Sequence, residues 1–142
     1  MSPLFLACRA QSADILSILF EAGAILPERE KYSPLDKAIY LKNYDCFIIL
    51  INHIQNIVPD EYHFTPLMSA INANFSEAVP ILIQKCDPSY QAPNGKDALY
   101  LAFGSKNSKL LKCLLKLVLM LKELDFMVRM LLIGLHLLVL LN

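Results

Sequence analysis

The sequence predicts an all-α protein in which four helix–turn–helix units stack in a slightly curved row, followed by an apolar C-terminal helix. Three observations lead to this prediction. A six-residue pattern that favours a helix start recurs four times at a near-constant period. A second, strongly apolar helix is predicted after each copy, and turn-forming residues separate one unit from the next.

The recurring hexad opens each unit. Its second residue is Pro3, Pro34, Pro66 or Ala98, which gives a period of about 32 residues. The Ser, Thr or Asp before it can accept hydrogen bonds from free N–H groups at a helix start. Proline lacks an N–H and has its φ angle already set for a helix. We therefore expect the first helices to begin at Ser2, Ser33, Thr65 and Asp97.

A second helix follows about eleven residues after the start of each hexad. Its apolar positions form a face wider than one helix pair can cover, so the units must stack on one another. In the third unit, Ser76 is the expected N-cap, which places Pro80 in the first turn. The matching apolar runs are Ile15, Leu16, Ile18, Leu19 and Phe20; Cys46, Phe47, Ile49, Leu50 and Ile51; Ala78, Val79, Ile81, Leu82 and Ile83; and Leu110, Leu111, Cys113, Leu114 and Leu115.

Turn-forming residues mark the segments between units, residues 24–32, 58–64 and 87–96. Four prolines and the Asn94-Gly95 pair lie in them. These segments are predicted to be extended loops or short hairpins that project from one edge of the stack.

The hexads resemble the T-P-L-H-x-A helix opening of the ankyrin repeat, a unit of about 33 residues. The resemblance covers about residues 1–118, divided into repeats 1–31, 32–63, 64–95 and 96–118, with a tail at 119–142. Gly23-Ala24 and Gly95 also match family glycine positions. The resemblance implies an ankyrin-type solenoid.

Two family features are missing, which indicates divergent repeats of lower intrinsic stability. Other residues replace the motif histidine and the Gly-His pair between the two helices. The residues in place of the motif histidine are Phe5, Asp36, Met68 and Tyr100. The residues in place of the Gly-His pair are Gln11-Ser12, Lys42-Asn43, Asn74-Phe75 and Lys106-Asn107.

The resemblance also implies a cytoplasmic protein-binding or scaffold module, whose partner contacts hairpin tips and exposed positions of the first helices. Tyr and Arg are enriched at interface hot spots. The alternative for Tyr32 and Phe64 is that they only pack between neighbouring hairpins. The candidate tip residues are Arg29, Glu30, Tyr32, Glu61, Tyr62, Phe64, Asn94 and Lys96, and the candidate helix residues are Arg9, Tyr40 and Asn72.

The cysteines indicate neither a zinc site nor a redox motif. The four residues, Cys8, Cys46, Cys86 and Cys113, are far apart in the sequence and include no C-x-x-C pair. No signal peptide is visible at the N-terminus. Together these features favour buried thiols in a reducing compartment.

The sequence supports no catalytic, cofactor or metal site, and we expect a protein that is not an enzyme. His53, His63 and His136 have no histidine or carboxylate four residues away on a helix face. Phosphate-binding and nucleophile motifs are also missing.

Composition limits the partners. Thirteen basic and thirteen acidic residues give zero net charge, so we expect no long-range attraction to nucleic acid or to an acidic membrane surface. Apolar residues make up 56% of the chain, more than in an average soluble domain. This excess lies after residue 109.

The tail leaves three alternatives open. Residues 126–141 are apolar except for Arg129 and His136, and Lys109, Lys112, Lys116 and Glu123 form one narrow polar stripe before them. The tail is either a helix that docks on the fourth repeat, or a short membrane anchor of a membrane-associated protein, or the atypical end of a fragment. As an anchor, its apolar length is below the roughly 20 residues that span a bilayer. The charged end of the Arg129 side chain would also have to extend to the membrane interface.

Overall fold

The computed structural model describes residues 1–26 and 33–141. These residues form eight α-helices and no β-strand, so the predicted all-α class is confirmed for this part of the chain. The first helices of the four units are α1 (Pro3–Arg9), α3 (Pro34–Tyr40), α5 (Pro66–Asn72) and α7 (Ala98–Gly104). The second helices are α2 (Ala13–Glu21), α4 (Tyr44–His53), α6 (Val79–Lys85) and α8 (Ser108–Leu141).

All four hexads start a helix, as predicted. In each one, the side-chain oxygen of the first residue accepts a hydrogen bond from the backbone N–H three residues later. The bonds are Phe5 to Ser2 at 3.3 Å, Asp36 to Ser33 at 3.4 Å, Met68 to Thr65 at 3.3 Å and Tyr100 to Asp97 at 2.7 Å. Proline occupies the first helical position in α1, α3 and α5. The local chemistry therefore sets these boundaries.

A left-handed residue reverses the chain between the two helices of every unit. Gln11, Lys42, Asn74 and Lys106 have φ of 56°, 54°, 58° and 54°. Side chains other than glycine pay a steric cost in this region. Hydrogen bonds link neighbouring junctions: the Asn43 side-chain amide donates to the Gln11 carbonyl at 3.5 Å, and that of Asn107 donates to Asn74 Oδ1.

The third unit departs from the prediction at its second helix. Ser76 is not the N-cap, since α6 begins at Val79 and follows Ala78, which makes no side-chain capping bond. In the other units Ser12, Asn43 and Asn107 cap the second helix. Phe75 takes this place in the third unit and is buried. Because Pro80 is now the second helical residue, its missing N–H leaves no hydrogen bond unmade.

The helices pack in chain order. Each first helix contacts its own second helix, and the first helices contact one another in the series α1, α3, α5, α7. Among the second helices, α2 packs on α4 and α6 on α8. One contiguous core of apolar side chains, from Leu4 to Val118, runs through these contacts.

Burial differs between the middle and the ends of this row. Ile15 is 48% exposed, although the residues that match it, Cys46, Ala78 and Leu110, are buried. Ile18 is exposed as well. The predicted buried face of the second helix is therefore wrong at these two positions of the first unit, because no helix of residues 1–26 and 33–141 covers them.

The second helix of the fourth unit and the tail form one continuous helix. At about 1.5 Å per residue, the 34 residues of α8 extend about 51 Å. The boundary predicted at 118/119 falls inside it. Leu110, Leu114 and Val118 are buried, whereas every residue from Leu119 to Leu141 is exposed. The tail therefore does not dock on the fourth unit. By length and composition, α8 could cross a membrane.

Candidate interaction surface

Three of the candidate partner-binding residues end neighbouring helices. Arg9, Tyr40 and Asn72 are the last residues of α1, α3 and α5, and all three are exposed. Because these helices pack side by side, their equivalent ends form a row, which we call the helix-end row (Arg9, Tyr40, Asn72). Tyr40 is 74% exposed, and the Lys37 ammonium lies 5.3 Å from the centre of its ring.

Two described tips share one backbone geometry. The N–H of Asp60 donates to the carbonyl of Phe64 at 2.9 Å, and the N–H of Ala92 donates to that of Lys96 at 2.9 Å. His63 and Gly95 close the two turns in the left-handed region, with φ of 60° and 78°. The tips are hydrogen-bonded turns without strands, and they recur at the same interval as the hexads.

Asp60 also rigidifies its tip. Its carboxylate accepts hydrogen bonds from the backbone N–H groups of Tyr62, at 2.9 Å, and of Phe64, at 2.8 Å. At the other tip, the Asn94 side chain accepts from the N–H of Lys96 at 3.1 Å. These local bonds constrain the backbone of the tips.

The tip candidates divide by exposure. Glu61, Tyr62 and Asn94 are exposed, and Tyr62 is 71% exposed. Phe64 and Lys96 are half-buried. Packing between neighbours is therefore the stronger interpretation for Phe64, while Tyr62 is presented to solvent. The other tip candidates, Arg29, Glu30 and Tyr32, lie outside the described residues.

Two exposed aromatic residues of α7 were not among the candidates. Tyr100 is 59% exposed and Phe103 is 65% exposed. The residues that match Phe103 in the other units, Cys8, Ile39 and Ile71, are fully buried. The periodic pattern could not reveal this difference, because it assigns the same environment to equivalent positions. Phe103 is exposed because, among the described helices, α7 is the last of the first helices and no further one packs against it.

Three of the four thiols are poor nucleophiles in this environment. Cys8, Cys46 and Cys86 are buried as expected, but Cys113 is half-buried, which corrects the prediction for that residue. Burial raises the pKa of Cys8 to about 12, and nearby Cys46 adds to the effect. Burial also raises the pKa values of Cys46 and Cys86. The thiolate, which is the reactive form, is therefore disfavoured at all three positions.

The histidines lie at separate exposed places. The His53 ring stacks on Phe20 at 3.9 Å between ring centres, and its Nδ1 lies 2.7 Å from the Ile49 carbonyl oxygen. His63 closes a tip, and His136 lies near the end of α8. Within residues 1–26 and 33–141, no three His, Cys, Asp or Glu side chains are grouped so that they could hold a metal ion.

One carboxyl group has an unusual environment. Asp36 stands where the ankyrin motif has its histidine, and burial raises its pKa to about 6. The nearby Asp60 carboxylate raises this pKa further, while hydrogen bonds from the side chains of Ser33 and Ser69 oppose the rise. Asp36 is thus partly neutral near pH 6.

Comparison with protein-family models found no match, and comparison with curated proteins found none. The residues of the surface itself therefore have to indicate the function.

Proposed function

We propose that residues 1–118 form an ankyrin-type solenoid that binds another protein through the helix-end row and the adjoining tips. The observation that carries this proposal is the recurrence of one local geometry. Capped first helix, left-handed junction and packed second helix repeat at about 32 residues, and the first helices pack side by side. Such repetition presents equivalent side chains in line along an extended surface.

The exposed side chains suit protein recognition. Tyrosine offers a large contact area and loses little conformational entropy when it is bound, because it has only two side-chain torsions. Tyr40 stands at the end of a packed helix, and Tyr62 stands on a hydrogen-bonded tip. Arg9 at one end of the row adds a group that is common at hot spots. The scaffold fixes these anchors before a partner arrives, which lowers the entropic cost of binding.

The test is a photo-crosslinking experiment with the full chain, in which a crosslinking amino acid replaces Asn72. This residue lies in the row but is not one of the two aromatic anchors. Captured proteins are identified, and the affinity of the captured partner is then measured for Tyr40→Ala and Tyr62→Ala. Each loss of an anchor is expected to weaken binding about tenfold or more, with little change in unfolding free energy.

Tyr44→Ala is the matched control, since Tyr44 is an exposed tyrosine on the second-helix layer. It should leave affinity unchanged. The proposal fails if Tyr44→Ala weakens the partner as much as the other two, or if the losses follow stability alone.

A second candidate function is a membrane tether for these repeats, and the exposure of α8 favours it. No other part of the described chain covers the apolar side chains of residues 119–141. Water is a poor environment for so large an apolar surface. In cell fractionation the chain is expected in the membrane pellet after a high-salt wash. Leu132→Glu with Leu138→Glu should move it to the supernatant, and a soluble wild type would refute the tether.

A further inference from the structure

The zero net charge conceals a division of charge along the chain. Residues 1–105 contain seven basic and eleven acidic side chains, a net charge of −4. Residues 106–142 contain six basic and two acidic side chains, a net charge of +4. The expectation that charge would not attract an acidic membrane rested on the whole-chain sum. It does not hold for α8, because electrostatic attraction falls off over about 8–10 Å at physiological salt and depends on local charge.

The lysines of α8 face away from the helix row. Lys109, Lys112 and Lys116 are exposed, and at 100° per residue they lie within about 60° of one another. The buried residues Leu110 and Leu114 point to the opposite side of the helix. This side of α8 is therefore free to meet a negatively charged surface. Lys122 lies nearer the apolar end, about 110° around the helix from the mean direction of these three lysines, and the acidic residues Glu123 and Asp125 follow it.

The segment after these lysines has no polar face. Residues 126–141 make about 24 Å of helix, and all of them are exposed. Only Arg129 and His136 interrupt the apolar side chains, and Arg129 pairs with Asp125 at 3.3 Å, one turn back. A protein groove would cover one side of such a helix. The acyl chains of a bilayer surround it, so lipid is the occupant that matches its exposure on all sides.

If residues 126–141 lie in the hydrocarbon, the distance of each lysine from Phe126 along α8 gives its height above the hydrocarbon. Lys122 lies four residues before Phe126 and Lys116 ten residues before it, which is about 6 Å and 15 Å along the helix. Lys112 lies one further turn away. With its long side chain, each of these ammonium groups can approach the headgroup layer or the ionic atmosphere just above it.

We propose that α8 selects membranes rich in anionic lipid. Residues 126–141 enter the hydrocarbon, and Lys112, Lys116 and Lys122 interact with anionic headgroups. This inference rests on the membrane tether proposed above and adds the lipid class. Basic residues beside a membrane segment strengthen its attachment to anionic lipid, and each additional lysine adds to the binding free energy.

The test uses the full chain and vesicle co-sedimentation. Vesicles contain phosphatidylcholine alone, or phosphatidylcholine with about a third phosphatidylserine, at low and high salt. The chain is expected to bind the anionic vesicles at least about tenfold more tightly at low salt, and high salt should remove most of this difference. Lys112→Gln, Lys116→Gln and Lys122→Gln together should remove it as well.

A charge-matched control separates location from total charge. Lys37→Gln, Lys42→Gln and Lys96→Gln together lower the net charge equally, but these residues lie before α8, in α3, in the turn after α3 and in the tip before α7. This control variant should keep the lipid preference. Circular dichroism should show that both triple variants are folded.

The contradicting outcomes are distinguishable. Equal binding to both vesicle types overturns the lipid selectivity and leaves the tether standing. Loss of the preference in the control variant also overturns it. Binding to neither vesicle type refutes both the tether and this inference. Formation of discrete soluble oligomers by wild type in place of vesicle binding would show that second copies cover α8, and would likewise overturn it.

Discussion

The rings of Phe47 and Phe75 meet edge to face between the second and third units, with ring centres 5.7 Å apart and an interplanar angle of 74°. Both side chains are buried. Phe75 occupies the position at which Ser12, Asn43 and Asn107 cap the second helices of the other units. The third unit thus has an aromatic contact where the others have a capping hydrogen bond.

Phe75→Asn is expected to destabilise the protein, although it introduces a capping residue. A cap contributes about 1 kcal/mol, whereas removal of a buried aromatic ring costs about 3 kcal/mol or more. A net loss of about 2–3 kcal/mol should appear in urea unfolding. Asn107→Ala, which removes only a cap, should cost about 1 kcal/mol. A neutral Phe75→Asn would contradict the ring contact.

Lys42→Gly is expected to stabilise the protein by up to about 1 kcal/mol. Lys42 has a φ of 54°, a conformation that strains a side chain with a Cβ atom but not glycine. Relief of this strain outweighs the greater flexibility of glycine in the unfolded chain. Lys37→Gly, inside α3, should have the opposite sign and cost about 1 kcal/mol. The melting temperatures of the two variants should lie on opposite sides of wild type.

Asp36 is expected to make stability fall as pH rises from about 4 to about 6. Its pKa is higher in the folded than in the unfolded chain, so the folded state holds the proton more tightly over this interval. The penalty is complete above pH 6 and amounts to about 2–3 kcal/mol from a shift of about two units.

Asp36→Asn should remove this penalty. Its stability advantage over wild type should be small near pH 4 and largest above pH 6 in urea unfolding. Asp14→Asn changes an exposed carboxyl group at the start of α2 and serves as the control for the loss of one negative charge. An advantage of Asp36→Asn that is the same at pH 4 and pH 7 would contradict the burial of its carboxyl.

Phe103→Ser is expected to cost little, although the matching change at Ile71 should be severe. Phe103 is largely exposed at the open end of the row, so its loss should change the unfolding free energy by about 1 kcal/mol or less. Ile71 is fully buried, and Ile71→Ser should cost about 3–5 kcal/mol because it leaves a cavity and a buried hydroxyl. Similar losses at both positions would show that another surface covers Phe103.

The helix starts could be read from the sequence because they depend on contacts within four residues. A capping oxygen at Ser33 or Thr65 and a proline next to it act on the nearest N–H groups, whatever the rest of the chain does. The near-constant spacing of the hexads could also be predicted, because it follows directly from their positions in the sequence. The tip at Asp60 was predicted as a turn, but the left-handed His63 was not, since histidine gives no signal as strong as the glycine at position 95.

The candidate surface was only partly predictable. Arg9, Tyr40 and Asn72 are exposed, as the resemblance to the ankyrin repeat implies for these positions of the first helices. Tyr100 and Phe103 were missed, since exposure there depends on a neighbour that is missing rather than on a local pattern.

The sequence by itself determined the capped helix starts, the repeat length and the division of charge, because these follow from residue types and their spacing. The tertiary structure alone decided that Cys46 is covered while Ile15 is open, that α6 begins after Phe75, and that α8 continues past the row without folding back. Burial is a property of the neighbours a residue acquires on folding. A periodic sequence gives equivalent residues in the middle and at the ends of the row the same signal, and only the packed structure gives them different surroundings.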